Sequence, residues 1–125
     1  MSAEIGTLSG WFALASIPLA GAAGWITRRF IKGRLRLRMR PHYVLGYAAL
    51  CFAIVHLSLS TGATSGADTT GVWLATLALL GLGWQALVGS NLQSPGDYRG
   101  ALRRWHLVTF VAVSFFAVGH VMLNR

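Results

Sequence analysis

Tyr43-Val44-Leu45-Gly46-Tyr47-Ala48-Ala49-Leu50-Cys51-Phe52-Ala53-Ile54-Val55-His56-Leu57-Ser58-Leu59-Ser60 is a run of eighteen residues with no acid and no Lys or Arg. As a helix it would rise about 27 Å, close to the thickness of the hydrocarbon layer of a bilayer. A chain crossing that layer must satisfy its own backbone hydrogen bonds, so the run predicts a membrane-spanning helix. Three more runs of this kind flank it. They cover about 6–26, 71–90 and 106–123, and none contains Asp, Glu, Lys or Arg. The first begins after Met1-Ser2-Ala3-Glu4, without the positive segment of a secretory signal, and is therefore expected to remain as a span. Pro18 falls inside it, where a kink is expected.

The whole chain agrees with these runs. Of its 125 residues 54% are hydrophobic and 11% are charged, whereas soluble domains carry about 25% charged residues. The expected fold is therefore all-α: an integral membrane four-helix bundle, with residues 1–125 forming a single transmembrane domain. Cys51 is the only cysteine and excludes an intrachain disulfide.

The formal net charge is +8, from eleven Lys and Arg against Glu4, Asp68 and Asp97. Arg28, Arg29, Lys32, Arg34, Arg36, Arg38 and Arg40 lie in the first connection, 27–41, and Arg99, Arg103 and Arg104 lie in the third, 91–105. The second connection, 61–70, has no basic residue. Bases alternating with apolar spans in this way argue against nucleic acid as a partner and for membrane lipid. The positive-inside rule puts the first and third connections on the cytoplasmic side and both termini outside, as expected for a bacterial inner (plasma) membrane protein. Trp25 and Trp105 then lie near the inner interface, Trp11 and Trp73 near the outer one. The alternation of Arg and Leu from Arg34 to Arg40 suits an acidic partner or anionic lipid as well as a topology signal.

The chain has four histidines, His42, His56, His106 and His120, all on the second and fourth runs. His42 and His56 are fourteen residues apart, and so are His106 and His120. Fourteen steps of about 100° fall about 40° short of four turns, so both histidines of a helix face nearly the same side, about 21 Å apart along it. The two helices run in the same direction, which puts His42 level with His106 and His56 level with His120. Ionisable side chains inside a membrane are costly and mark functional paths. Imidazole is a good axial ligand for haem iron. The expected cofactors are two haem b groups, the inner iron between His42 and His106 and the outer between His56 and His120. Such sites have no open coordination position and favour electron transfer over ligand chemistry. The two pairs lie too far apart to share one metal ion.

An internal echo runs at an offset of 64 residues. Arg40-Pro41-His42 matches Arg104-Trp105-His106, and Phe52-Ala53-Ile54-Val55-His56 matches Phe116-Ala117-Val118-Gly119-His120. Gly21 to Trp25 resembles Gly81 to Trp84 more loosely. The helices read as a pseudo-twofold repeat of two hairpins. Arg40 and Arg104, two residues before the inner histidines, are candidate partners for haem propionates. Gly10 and Gly24 repeat the fourteen-residue spacing and are candidates for haem packing, with Gly81, Gly83 and Gly89 on the third helix. Each of these glycines also suits ordinary packing between membrane helices.

This pattern resembles the dihaem four-helix core of cytochrome b from the quinol:cytochrome c oxidoreductases, which has two histidines on its second helix and two on its fourth. It also resembles the transmembrane domain of ferric reductases and NADPH oxidases, through Arg40-Pro41-His42-Tyr43-Val44-Leu45-Gly46 to His56 and Arg104-Trp105-His106 to His120. The resemblance implies transmembrane electron transfer, with a redox partner subunit or a donor and acceptor protein, and a quinone as a further candidate partner. No catalytic residue carries over: the sequence has neither a dinucleotide fingerprint nor a quinol-oxidation motif of the Pro-Glu-Trp-Tyr kind, and no flavin domain is expected after Arg125. A cytochrome b subunit of a larger redox complex is thus the leading expectation. Direct reduction of an outer-face acceptor, in the manner of a ferric reductase, and a haem-free anchor or transport subunit are the alternatives.

Overall fold

The apolar runs all become helices, and most of these helices continue into the charged flanks. In the computed structural model, which describes residues 2–60, 68–93 and 96–124, α1 spans Ser2–Phe30, α2 Leu35–Arg38, α3 Arg40–Ser60, α4 Thr69–Asn91 and α5 Arg99–Leu123. Among the described residues there is no strand. Four of the five helices are long and apolar enough to cross a membrane.

The helix ends differ from the apolar limits for local reasons. The first helix, expected at about 6–26, runs on to Phe30 because no Gly or Pro intervenes after Trp25. It also passes through Pro18 without a break. It stops before Gly33, which has a φ of 126°, a conformation that costs little only without a Cβ. The fourth span, expected at about 106–123, starts already at Arg99, so Arg99, Arg103 and Arg104 are helical rather than part of a loop. Asp68 caps α4: its carboxylate accepts a hydrogen bond from Gly71 N at 2.9 Å, satisfying one of the unpaired donors of the first turn. Pro41 falls in the first turn of α3, where its missing N–H costs nothing. Residues 61–67 of the second connection lie outside the described residues.

The packing divides the chain into two compact units, residues 1–62 and 63–125. In the first, α1 packs along α3; in the second, α4 packs along α5. The α1 face of the first hairpin is built from small residues. Gly6, Ser9, Ala13, Ser16, Ala20, Gly24 and Thr27 are all buried. With no hydrophobic force between helices in lipid, close backbone approach through such residues is what drives association. Hydroxyls on the spans bond back to their own helices: Ser9 Oγ to Gly6 O at 2.7 Å, Ser16 Oγ to Phe12 O at 2.7 Å, Thr109 Oγ1 to Trp105 O at 2.8 Å and Ser114 Oγ to Phe110 O at 2.9 Å. That arrangement lets a polar side chain sit in an apolar layer at little cost.

Ala49 and Val113 are each 1% exposed. Each stands midway between the two histidines of its helix, seven residues from either. The histidine-bearing stripes of α3 and α5 are therefore centred on the seams of the hairpins. The Trp side chains assigned to the interfaces are all exposed, from 52% for Trp11 to 65% for Trp25.

Candidate functional site

Each histidine is half-buried against the other helix of its own hairpin. In the first unit, His42 Nδ1 lies 2.8 Å from Ala20 O and His56 Nδ1 lies 2.8 Å from Gly6 O. In the second, His120 Nδ1 lies 2.9 Å from Gly71 O. A backbone carbonyl only accepts, so in each case Nδ1 carries the proton and donates it. This fixes the tautomer and leaves the ring lone pair on Nε2, the form in which a neutral imidazole ligates a metal. Asn124 Nδ2 lies 3.3 Å from His120 Nδ1 and 3.0 Å from His120 O. It donates to the carbonyl, since Nδ1 already gives its proton to Gly71.

The glycines explain how the rings reach those carbonyls. A Cβ built on Gly10 would stand 2.8 Å from His56 Nδ1 and 3.0 Å from its Cε1. A Cβ on Gly24 would stand 3.1 Å from His42 Nδ1. In both cases the ring rests on the glycine and bonds the carbonyl four residues earlier, Gly6 or Ala20. The fourteen-residue spacing of Gly10 and Gly24 thus matches that of His56 and His42, and the two glycines serve as ring platforms. A Cβ on Gly89 would meet His106 Cε1 at 3.5 Å, an ordinary contact. A Cβ at Gly81 would collide with Val113 Cγ2, which makes Gly81 a helix-packing residue; Gly83 has open space around it.

Gln85 is a functional candidate that the sequence reading passed over. It is half-buried on α4, and its Nε2 donates to His106 O at 2.8 Å, tying α4 to α5 at the depth of that histidine. It is the only Asn or Gln in 71–90, and an amide in such a run is the signal that could have found it. Interhelical side-chain hydrogen bonds in membranes average about 0.6 kcal/mol. Gln85→Leu is therefore expected to lower the stability of the protein by about 1 kcal/mol or less in an SDS-titration assay.

Arg40 is exposed at the start of α3 and Arg104 in the second turn of α5, two residues before His42 and His106 respectively. Among the described residues, no three His, Cys, Asp or Glu side chains gather as a metal-ion site. The donor set that is present consists of imidazoles held one by one at set positions along a helix. That suits a flat metal complex taking one protein ligand on each face better than a bare ion that needs four ligands. The Nδ1–H tautomer and the ring platforms both fit haem ligation.

No family model, curated protein or solved structure matches the chain.

Proposed function

We propose that this chain is an integral membrane cytochrome of the b type that carries electrons across a bilayer. His42 and His106 would hold the inner of two haems and His56 and His120 the outer. The observation that carries this reading is the set of bonds from Nδ1 of His42, His56 and His120 to helix carbonyls at 2.8, 2.8 and 2.9 Å. The bond that holds each ring against the other helix also places its proton on Nδ1 and leaves the lone pair on Nε2. A histidine that ligates iron through Nε2 keeps its proton on Nδ1, and a second-shell acceptor for that proton also makes Nε2 a better donor.

The repeat supports the pairing. His56 bonds Gly6 O and His120 bonds Gly71 O. The histidines stand 64 residues apart and the acceptors 65. Two hairpins built on the same plan suit a pseudo-twofold four-helix bundle, in which equivalent ligands come from α3 and α5 at matched depth.

Haem, when bound, supplies a one-electron iron couple. The chain's residues would hold and orient it: the four imidazoles would be its ligands, the Gly10 and Gly24 platforms set the position of the histidine rings, and Arg40 and Arg104 would offer guanidinium groups to the propionates of the inner haem. The apolar spans exclude water from the path. A redox partner subunit, or a quinone, would deliver and remove electrons. The charge distribution fits a bacterial inner membrane with both termini outside.

A dithionite-reduced minus oxidised visible spectrum of the detergent-purified chain, with a pyridine haemochrome assay, tests this. Two b-type haems per chain are expected. A colourless protein made with ample haem supply would sink the proposal and leave a haem-free anchor or transport subunit.

A further inference from the structure

The connector between α1 and α3 concentrates positive charge at one end of the first hairpin. Arg28 and Arg29 end α1, Lys32 and Arg34 follow, Arg38 closes α2, and Arg40 opens α3. The one acid in residues 1–62 is Glu4, at the other end of α1. It stands 24 residues from Arg28, about 36 Å along the helix. Neutralising charge for this end of the hairpin therefore has to come from outside the unit.

The connector is folded. Gly33 turns the chain with a φ of 126°. Met39 is 3% exposed and its sulfur lies 3.4 Å from Thr27 Oγ1 on α1. Arg38 Nη1 donates to Ile31 O at 3.1 Å, closing the loop on itself. Arg38 Nε is buried and has no hydrogen-bond partner among the described residues. A buried guanidinium donor left without an acceptor is costly. The same segment exposes Trp25, Phe30, Ile31 and Leu37. Trp25 and Phe30 meet edge to face, centroids 5.9 Å apart. Large apolar side chains interleaved with arginines, at the mouth of two spans, suit the boundary between headgroups and acyl chains.

We infer that this connector is a binding site for the phosphodiester of an anionic phospholipid, with the exposed Lys32 and Arg34 as its donors. Charge complementarity selects the anionic headgroup. The exposed Trp25 and Phe30 rings favour a lipid over an acidic protein, because a lipid brings acyl chain as well as phosphate. The inference needs the two helices to cross a membrane but does not depend on the haems.

The test uses the full chain in a neutral detergent and measures retention of dioleoyl phosphatidylglycerol and dioleoyl phosphatidylcholine by native mass spectrometry. Juxtamembrane bases each contribute about fivefold to anionic-lipid affinity. The parent is expected to prefer the glycerol lipid, and Lys32→Gln/Arg34→Gln to lose roughly thirty-fold of that preference. This pair leaves the Arg38–Ile31 bond and the Met39 seat in place, and circular dichroism checks the fold. Arg99→Gln/Arg103→Gln, which removes the same charge from the second unit, is expected to lose clearly less of that preference. Equal retention of the two lipids by the parent would overturn the inference. Equal losses in both double variants would overturn it too, by showing charge alone at work. Polyglutamate binding as tight as the glycerol lipid would reassign the surface to an acidic protein.

Discussion

If the proposed dihaem reading holds, His120→Ala is expected to hold one haem against two in the parent, with the reduced α-band falling to about half. The substitution removes the imidazole proposed as a ligand together with its Nδ1–H bond to Gly71 O. The proposed inner ligand on the same helix is spared. His106 lies fourteen residues away on α5, about 21 Å along the helix, and changes that far apart act independently. The fold is expected to persist, since His120 sits in the last turn of α5, after the buried Val113 that centres the seam. His56→Ala should give the same spectrum. The double variants then read the pairing. His56→Ala/His120→Ala removes both ligands of one haem and should still hold one. His56→Ala/His106→Ala removes one ligand from each and should hold none. If these two outcomes were reversed, the pairing would be wrong even though the chain binds haem.

The spans were legible because a bilayer imposes one length and one composition, and both can be counted. Asp68 was legible in principle as a helix cap. The ends of α1 and α5 were not, because charge marks where lipid ends and says nothing about where a helix must stop. Arg28, Arg29, Arg99, Arg103 and Arg104 are all good helix formers and stay helical beyond the apolar run. The four-residue α2 was hidden in an alternation of Arg and Leu that suits no long helix. At the site, spacing alone brought out the histidines and the glycines Gly10 and Gly24. The acceptors stayed hidden for a different reason. Every residue has a carbonyl, so nothing in the letters Gly6, Ala20 or Gly71 marks them as partners of a ring. The role of the glycines also shifted. Sequence suggested that they make room for a macrocycle, whereas the structure places a histidine ring on each of two.

That shift gives the sharpest test of how the ligands are held. Gly10→Ala is expected to weaken haem binding at the outer site by about 10- to 100-fold, the usual loss when the partner that orients a metal ligand is disturbed. The new Cβ would stand 2.8 Å from His56 Nδ1, 3.0 Å from Cε1 and 3.3 Å from Cγ. An imidazole cannot fold its end away from such a contact as a long flexible side chain can. The whole ring must move, and the 2.8 Å bond to Gly6 O goes with it. Overpacking a seam in this way costs about 1–3 kcal/mol. Gly24→Ala should do less, because its Cβ would meet His42 Nδ1 at 3.1 Å and the next ring atom at 3.5 Å, leaving the ring a few tenths of an ångström to give. Gly46→Ala has open space on α3 and should leave haem content unchanged while gaining helix propensity, up to about 1 kcal/mol. The order Gly10, Gly24, Gly46 follows from the distances and is read as haem per chain under limiting haem. A Gly10→Ala protein that kept both haems at parental affinity would show that the ring does not depend on its glycine platform. The carbonyl bond would then be incidental to ligation.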